Sequence, residues 1–389
     1  MRRYENSHPW ISFQADLARS GQALWVALGE AASKCEHLAG IPLIPAVSKR
    51  LHALYLAKGL QATTAIEGNS LSEEDVRRHL EGTLDLPPSQ DYLTQEIDNV
   101  KRAVQEIDSS ILKGMNPDLT VDLIKQYNRM VLENLQIDEQ IIPGEIRHHE
   151  VIVGRYHGAP AEDCEYLLSR MCEWLNQCDF CPTDDSAIVV GTIRAIMAHL
   201  YIAWIHPFGD GNGRTARLVE FQILTTAGVP SAAAHLLSNH YNQTRHEYYR
   251  QLALASSSGG DILSFVNYAA KGFVDGLRDQ IGVVQEQQLR ITWRDYIRDA
   301  FEDMERKTDL RRYRLIQDIS AADKPIPLSE VSKVSARVAA DYAVKSRLTL
   351  TRDLAQLRKM GLLKIERGEC RARKEELEAF LPLRKRGSE

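Results

Sequence analysis

No stretch of 18 or more apolar residues occurs in the 389-residue sequence, and Met1-Arg2-Arg3-Tyr4-Glu5-Asn6 at its start lacks the apolar core of a signal peptide. A membrane-spanning or exported class is not indicated, so the expected location is cytoplasmic. Cysteine is scarce too: six in a chain of this size make no disulfide framework, which fits free thiols in a reducing compartment. Cys164, Cys172, Cys178 and Cys181 cluster and end in a C-x-x-C, yet no second C-x-x-C or histidine pair completes a zinc pattern. They read as core thiols.

What is present is apolar periodicity. With 44% hydrophobic residues the chain can bury a large core, and its length suggests two or three domains. Apolar residues recur three and four positions apart through most of residues 10–285, as in Leu51, Leu54, Tyr55 and Leu119, Leu123, Tyr127, Met130. The expected fold is mainly α. Between Pro143 and Pro160 the pattern changes to alternation with β-branched residues, which predicts a short β-hairpin, with His148 and His149 as exposed loop residues. Charge is uneven. From Glu305 onward 21 Lys and Arg face 13 Asp and Glu, a net of +8, so residues 1–304 carry −13 of the total of −5. The predicted domains are 1–90, 91–284 and 285–389.

The most informative stretch is His206-Pro207-Phe208-Gly209-Asp210-Gly211-Asn212-Gly213-Arg214-Thr215-Ala216-Arg217. Gly211 and Gly213 free the backbone to turn successive amides toward one point, and Asn212 tolerates such conformations while adding a side-chain donor. The helical spacing of Ala216, Leu218, Val219, Phe221 and Leu224 then predicts a helix whose N-terminus favours phosphate. Arg214 and Arg217, on its first turn, can each aim a guanidinium at a different phosphate. Asp210 is a candidate Mg²⁺ ligand, since Mg²⁺ needs only one or two carboxylates when phosphates complete its shell. His206, placed where a helix must stop before Pro207, is suited to take a hydroxyl proton.

At these residues the chain resembles the Fic family, whose pattern H-x-F-x-[D/E]-G-N-G-R-x-x-R it matches at every position. The resemblance implies a helical Fic fold with a β-hairpin flap, and transfer of AMP from ATP to a Ser, Thr or Tyr hydroxyl of a target protein, or of the chain itself. It implies His206 as base, Phe208 as core anchor, Asp210 on Mg²⁺, Gly211, Asn212 and Gly213 as phosphate cradle, and Arg214 and Arg217 as clamps. It makes Val151, Ile152, Val153 and Gly154 the nucleotide-contacting part of the flap, along whose edge a target segment can add as a strand. Tyr248 and Tyr249 fall where relatives hold adenine, and Ser256 aligns with a polar position at the purine edge. Relatives often dimerise, so a homodimer is an expectation.

Thr63-Thr64-Ala65-Ile66-Glu67-Gly68-Asn69 reads alone as a helix end with Gly68 as stop, before a new helix N-capped by Ser70 or Ser72. Thr63 and Glu67 share a helix face. The resemblance makes this segment the family's inhibitory pattern, with Glu67 paired to Arg217 in place of the γ-phosphate. In some relatives the same glutamate orients water for AMP removal.

The basic tail reads as three helices and a ribbon. The first spans Leu310 to Ile319, the second starts at Leu328-Ser329-Glu330-Val331, and the third runs from Ser346 to Gly361 before a turn at Arg367-Gly368. This looks like a winged helix-turn-helix domain. Arg347, Thr349, Thr351 and Arg352 would face DNA bases and Arg367, Arg371 and Arg373 the phosphates. Such modules also dock proteins, and both readings stay open. An alternative for the whole chain is a transcription regulator that senses nucleotide and binds DNA.

Overall fold

The computed structural model describes residues 2–115, 117–154, 156–177, 186–304, 306–322 and 324–377. The described residues form two compact units, 1–281 and 282–389, divided inside one helix.

The first unit is built around α8 (Ala187–Ile205), which is apolar on all sides and so belongs in a core rather than on a surface. By length and composition α8 could also cross a membrane, but 72% of its apolar window is buried inside the protein. Against it packs α9 (Asn212–Thr226), and around this pair lie α2 (Gln22–Gly40), α3 (Pro45–Ala65), α5 (Asp91–Leu112), α6 (Val121–Leu132) and α7 (Cys164–Leu175). Gly191 of α8 lets the pair approach, since a methyl there would overlap the Cβ of Ala227. One apolar cluster runs from Ile11 to Leu277, with Leu24, Leu28 and Leu60 among its most buried members. Residues 1–90 therefore share their core with the rest of the unit and are not a separate body. The short α1 (Tyr4–Ser7) and α10 (Ser231–Ala234), with α11 (Leu236–Gln243) and α12 (Arg245–Ser257), complete it, and α13 (Leu263–Ala300) leads out.

Local signals explain the ends that shape the site. Pro45 sits in the first turn of α3, where its fixed φ suits a helix start. The helix stops at Ala65, and Gly68 turns the chain at φ +108°. α4 (Glu73–Leu80) then begins with Ser72 as N-cap, in a reciprocal capping box with Asp75. Such a cap contributes about 1 kcal/mol and fixes the direction in which the corner opens. The hairpin is shorter than the alternation suggests, with β1 (Ile152–Val153) paired antiparallel to β2 (Tyr156–His157). Cys164 and Cys172 are buried thiols as expected, while Cys178 and Cys181 lie outside the described residues.

The second unit has its own core of Leu315, Ile316, Val331, Leu357, Leu362 and Cys370. α14 (Lys307–Ala321) leads to β3 (Ile326–Pro327), α15 (Ala336–Tyr342), α16 (Arg347–Lys359) and a hairpin of β4 (Leu363–Glu366) and β5 (Glu369–Ala372), in sheet order β3-β5-β4. The helix expected to start at Leu328 does not. That segment holds only a 3₁₀ turn at Val331–Lys333, and the second helix begins at Ala336, where the Ser335 hydroxyl accepts from Val338 N at 3.0 Å. Pro327 already sits in β3, so the chain there is extended and the stronger N-cap sets the start. Gly361, at φ +78°, ends α16 as its position predicts.

Candidate active site

The His206–Arg217 loop joins the two central helices. α8 stops at Ile205, and His206 takes a left-handed conformation with φ 50° and ψ 59°. Phe208 is buried, anchoring the turn in the core. Asn212 staples the loop shut: its Oδ1 accepts from Phe208 N at 2.9 Å and its Nδ2 donates to Phe208 O at 2.8 Å. The Asn212 side chain is thus engaged by the loop itself, which corrects its expected role as a donor to phosphate. Its backbone amide remains. Gly211, at φ 75°, precedes the first turn of α9, and that turn's amides have no intrahelical acceptor.

Both arginines are almost wholly buried, with side-chain exposures of 5% for Arg214 and 1% for Arg217. Arg217 Nη2 donates to Glu67 Oε1 at 2.6 Å and to Thr63 O at 2.8 Å, while its Nε and Nη1 have no partner. The pair is therefore single-pronged rather than a fork, and Thr63 contributes its main-chain carbonyl to Arg217. Arg214 Nη1 donates to Glu96 Oε1 at 2.9 Å and Nη2 to Asp210 Oδ1 at 3.3 Å, leaving its Nε unpaired. Buried guanidinium donors without acceptors are costly, and an oxygen-rich anion would satisfy them. Glu67 lies directly over the start of α9, where any Cβ on Gly213 would overlap its carboxylate. Burial alone would raise the Glu67 carboxyl, but the charge and hydrogen bond of Arg217 outweigh it and hold it below its ordinary value.

His206 is kept neutral. Burial pushes its pKa down to about 4 and the Arg147 cation pushes the same way, against the weaker pull of a hydrogen bond to the Ala203 backbone and the charges of Glu67 and Asp210. A neutral imidazole is what a general base requires.

Asp210 keeps 44% of its side chain exposed and uses Oδ1 for Gly211 N and Arg214. Among the described residues no group of three or more His, Cys, Asp or Glu is placed to hold a metal by itself. One exposed carboxylate beside an anion cradle does fit Mg²⁺ shared with substrate phosphates.

The flap residues Ile152 and Val153 are exposed, Gly154 turns at φ 62°, and Val151 O accepts from Gly158 N at 3.0 Å. The two tyrosines part company. Tyr248 is buried, its hydroxyl at 2.9 Å from His199 Nε2, and burial drives its pKa well up. It belongs to a core network in which Tyr241 Oη donates to Glu220 Oε1 at 2.9 Å and His199 Nδ1 lies 3.5 Å from Glu220 Oε2. Its hydroxyl is thus committed to the core, so of the two tyrosines expected beside adenine it is not Tyr248 that offers a free hydroxyl. Tyr249 is 43% exposed, with its hydroxyl 3.4 Å from Ile66 O beside Glu67. Ser256, two turns further along α12, bonds its hydroxyl back to Ala253 O at 3.0 Å. In the second unit Arg347, Thr351 and Arg352 are exposed and Thr349 half-buried, while Arg371 and Arg373 pair with Glu375 and Glu376.

The sequence reading missed Glu96, Asn69 and Arg147. Asn69 Nδ2 donates to Glu96 Oε2 at 2.8 Å and to Leu93 O at 2.9 Å, so the corner after Glu67 is fastened to the carboxylate that holds Arg214. Nothing local marks Glu96, which lies far from Arg214 in sequence. Glu220, on α9, is likewise buried.

Residues 118–224 match the Fic/DOC family. Among curated proteins, the protein adenylyltransferase fic-1 of Caenorhabditis elegans is 32% identical over 224 residues, covering 57% of this chain and 41% of its own length. The protein adenylyltransferase Fic of Culex quinquefasciatus is 29% identical over 237 residues, 61% of this chain and 44% of its own. The chain thus spans less than half the length of these relatives. Among solved structures, C. elegans Fic-1 (residues 134–508) superposes with a TM-score of 0.53 and 27% identity, over 67% of this chain and 72% of that one. A Fic family protein from Desulfovibrio desulfuricans G20 covers 89% of this chain and 95% of its own at a TM-score of 0.52; at 18% identity that likeness is one of fold. The family match includes the twelve-residue loop that folds onto the start of α9, so residues 118–224 match a Fic domain.

Proposed function

We propose that the protein is a Mg²⁺-dependent protein adenylyltransferase restrained by Glu67. The observation that carries this reading is Arg217, a buried cation held by one carboxylate contact and with two donor nitrogens left over. The names of the relatives support it.

In this reading the α9 amides, Arg214 and Arg217 bind the phosphates of ATP, and Asp210 would hold Mg²⁺. The metal, when bound, neutralises phosphate charge as the leaving group departs. His206 takes the proton of a target hydroxyl, whose oxygen then forms a bond to the α-phosphorus. The bond from that phosphorus to the bridging oxygen breaks, and pyrophosphate leaves with the electron pair. The exposed strand Ile152–Val153 offers main-chain groups on which a target segment docks as an added strand. While Glu67 pairs with Arg217, the clamp is closed to the γ-phosphate.

Incubating Glu67→Gly protein with labelled ATP tests this, with His206→Ala as the inactive control. Label transfer should rise by about an order of magnitude, the effect of freeing roughly 1.4 kcal/mol of phosphate binding. No rise over the parent chain would refute the restraint, and a mass shift other than that of AMP would refute the transferred group. A water held by Glu67 for AMP removal is a second reading, favoured by the third of the Glu67 side chain that stays exposed. Glu67→Gln should then abolish AMP release with nucleotide binding intact. DNA reading by residues 282–389 draws less support, because two of its three wing arginines are already paired to glutamates. Salt-dependent retardation of random duplex DNA by the full chain is its test.

A further inference from the structure

Arg147 has a fully buried side chain, yet the carboxylate paired with it, Glu150, stands 3.9 Å away. Main-chain carbonyls surround it instead. Nε donates to His206 O at 2.8 Å, Nη1 to His149 O at 2.6 Å, and Nη2 to Ala159 O and, at 3.5 Å, to Ile205 O. Its own amide donates to Pro207 O at 3.0 Å. His149 leads into β1 and Ala159 follows β2, whereas Ile205, His206 and Pro207 are the end of α8 and the start of the catalytic loop. One side chain therefore ties both limbs of the hairpin to the residue that carries the base.

The hairpin needs such a tie. Two residues per strand cannot hold an orientation by themselves, since even longer isolated hairpins are marginal in water. Two further bonds help, Ala159 N to Ile205 O at 3.2 Å and Tyr156 Oη to Trp204 O at 2.8 Å, and both also end on the last turn of α8. Burying a cation among carbonyls is expensive, and only the five fixed donors of a guanidinium can reach acceptors on three separate segments at once.

We propose that Arg147 is a positioning residue for transfer to protein targets: it indexes the hairpin to His206, so that a segment docked on the hairpin presents its hydroxyl to the ring. The inference rests on the adenylyltransferase reading for its functional consequence, but not for its structural one. It assigns Arg147 to acceptor placement, not to nucleotide binding, because none of its contacts is to the start of α9.

The test uses the full chain in the Glu67→Gly background, with Arg147→Lys keeping the charge and losing the fork. A second variant, Gly158→Ala, leaves Arg147 in place and sets a methyl 3.0 Å from its Nη2 and 3.1 Å from His206 Cβ, prising the limb away. The acceptor is the His206→Ala chain supplied in excess with labelled ATP. In both variants kcat/KM for the acceptor should fall about a hundredfold, the effect of a misplacement of roughly 1 Å, while ATP affinity is unchanged. The amides of Gly158 and Ala159 should lose hydrogen-exchange protection. If acceptor kcat/KM and protection both stay at the parent values, or if ATP affinity falls equally, the assignment is wrong. Should Arg147→Lys fail to fold, Gly158→Ala decides alone. Should the Glu67→Gly parent transfer nothing, the adenylyltransferase reading fails, and the exchange measurement still decides whether Arg147 holds the hairpin.

Discussion

Each unit of the molecule buries arginines against carboxylates, and the two do so to opposite effect. In the second unit Asp353, 1% exposed, accepts from Arg311 Nε at 2.9 Å, Arg312 Nε at 2.7 Å and Tyr342 Oη at 2.8 Å, and none of these side chains has a buried polar atom left unpaired. In the first unit Arg214 and Arg217 have carboxylates too, yet three of their nitrogens are buried without acceptors. A saturated cluster holds α14, α15 and α16 together. An unsaturated one leaves room for a ligand.

The comparison can be broken at several points. The largest effect is expected from Asp353→Ala, which strands two guanidinium groups and should cost the second unit about 3–5 kcal/mol, read as an early transition in denaturant unfolding. Glu67→Gly ought to cost far less stability while raising AMP transfer about tenfold, worth roughly 1.4 kcal/mol. Should it instead unfold the first unit, the Glu67–Arg217 pair is structural and the contrast collapses. Glu96→Gln removes the charge that competes for Arg214, and ATP should bind a few-fold tighter by calorimetry, an effect of about 1 kcal/mol. The smallest effect concerns pH. With His206 pushed down to about 4, the base stays neutral well below its ordinary range, so transfer should hold nearly level from pH 8 to 5 and fall only as the ring protonates near 4. A profile that falls through pH 6.5 would place His206 in an ordinary aqueous environment.

Much of the site was legible because it is contiguous. The stop before Pro207, the left-handed Gly211 and the paired arginines follow from spacing alone, and Glu67 from the resemblance to the family's inhibitory pattern. Contacts made at long range left no local signal: Glu96 meets Arg214 from α5, and Arg147 finds acceptors on both sides of the hairpin. Spacing did not decide between two plausible uses of a side chain. Asn212 could have served phosphate or its own loop, and only the packed turn shows that the loop takes both ends of its amide. Tyr248 could have faced adenine or the core, and His199 with Glu220, on two other helices, draws it inward. In the second unit, helix periodicity around Leu328 was real but too short to override the extended segment at Pro327.

Gly213 has a consequence of its own. Its bare Cα leaves the space that the Glu67 carboxylate fills, and a methyl group there would overlap that carboxylate. On the proposed reading, restraint and phosphate binding would meet at this single backbone position. On that reading a side chain at residue 213 would displace Glu67 and crowd the phosphate cradle together, so it should not yield a chain that is both unrestrained and active.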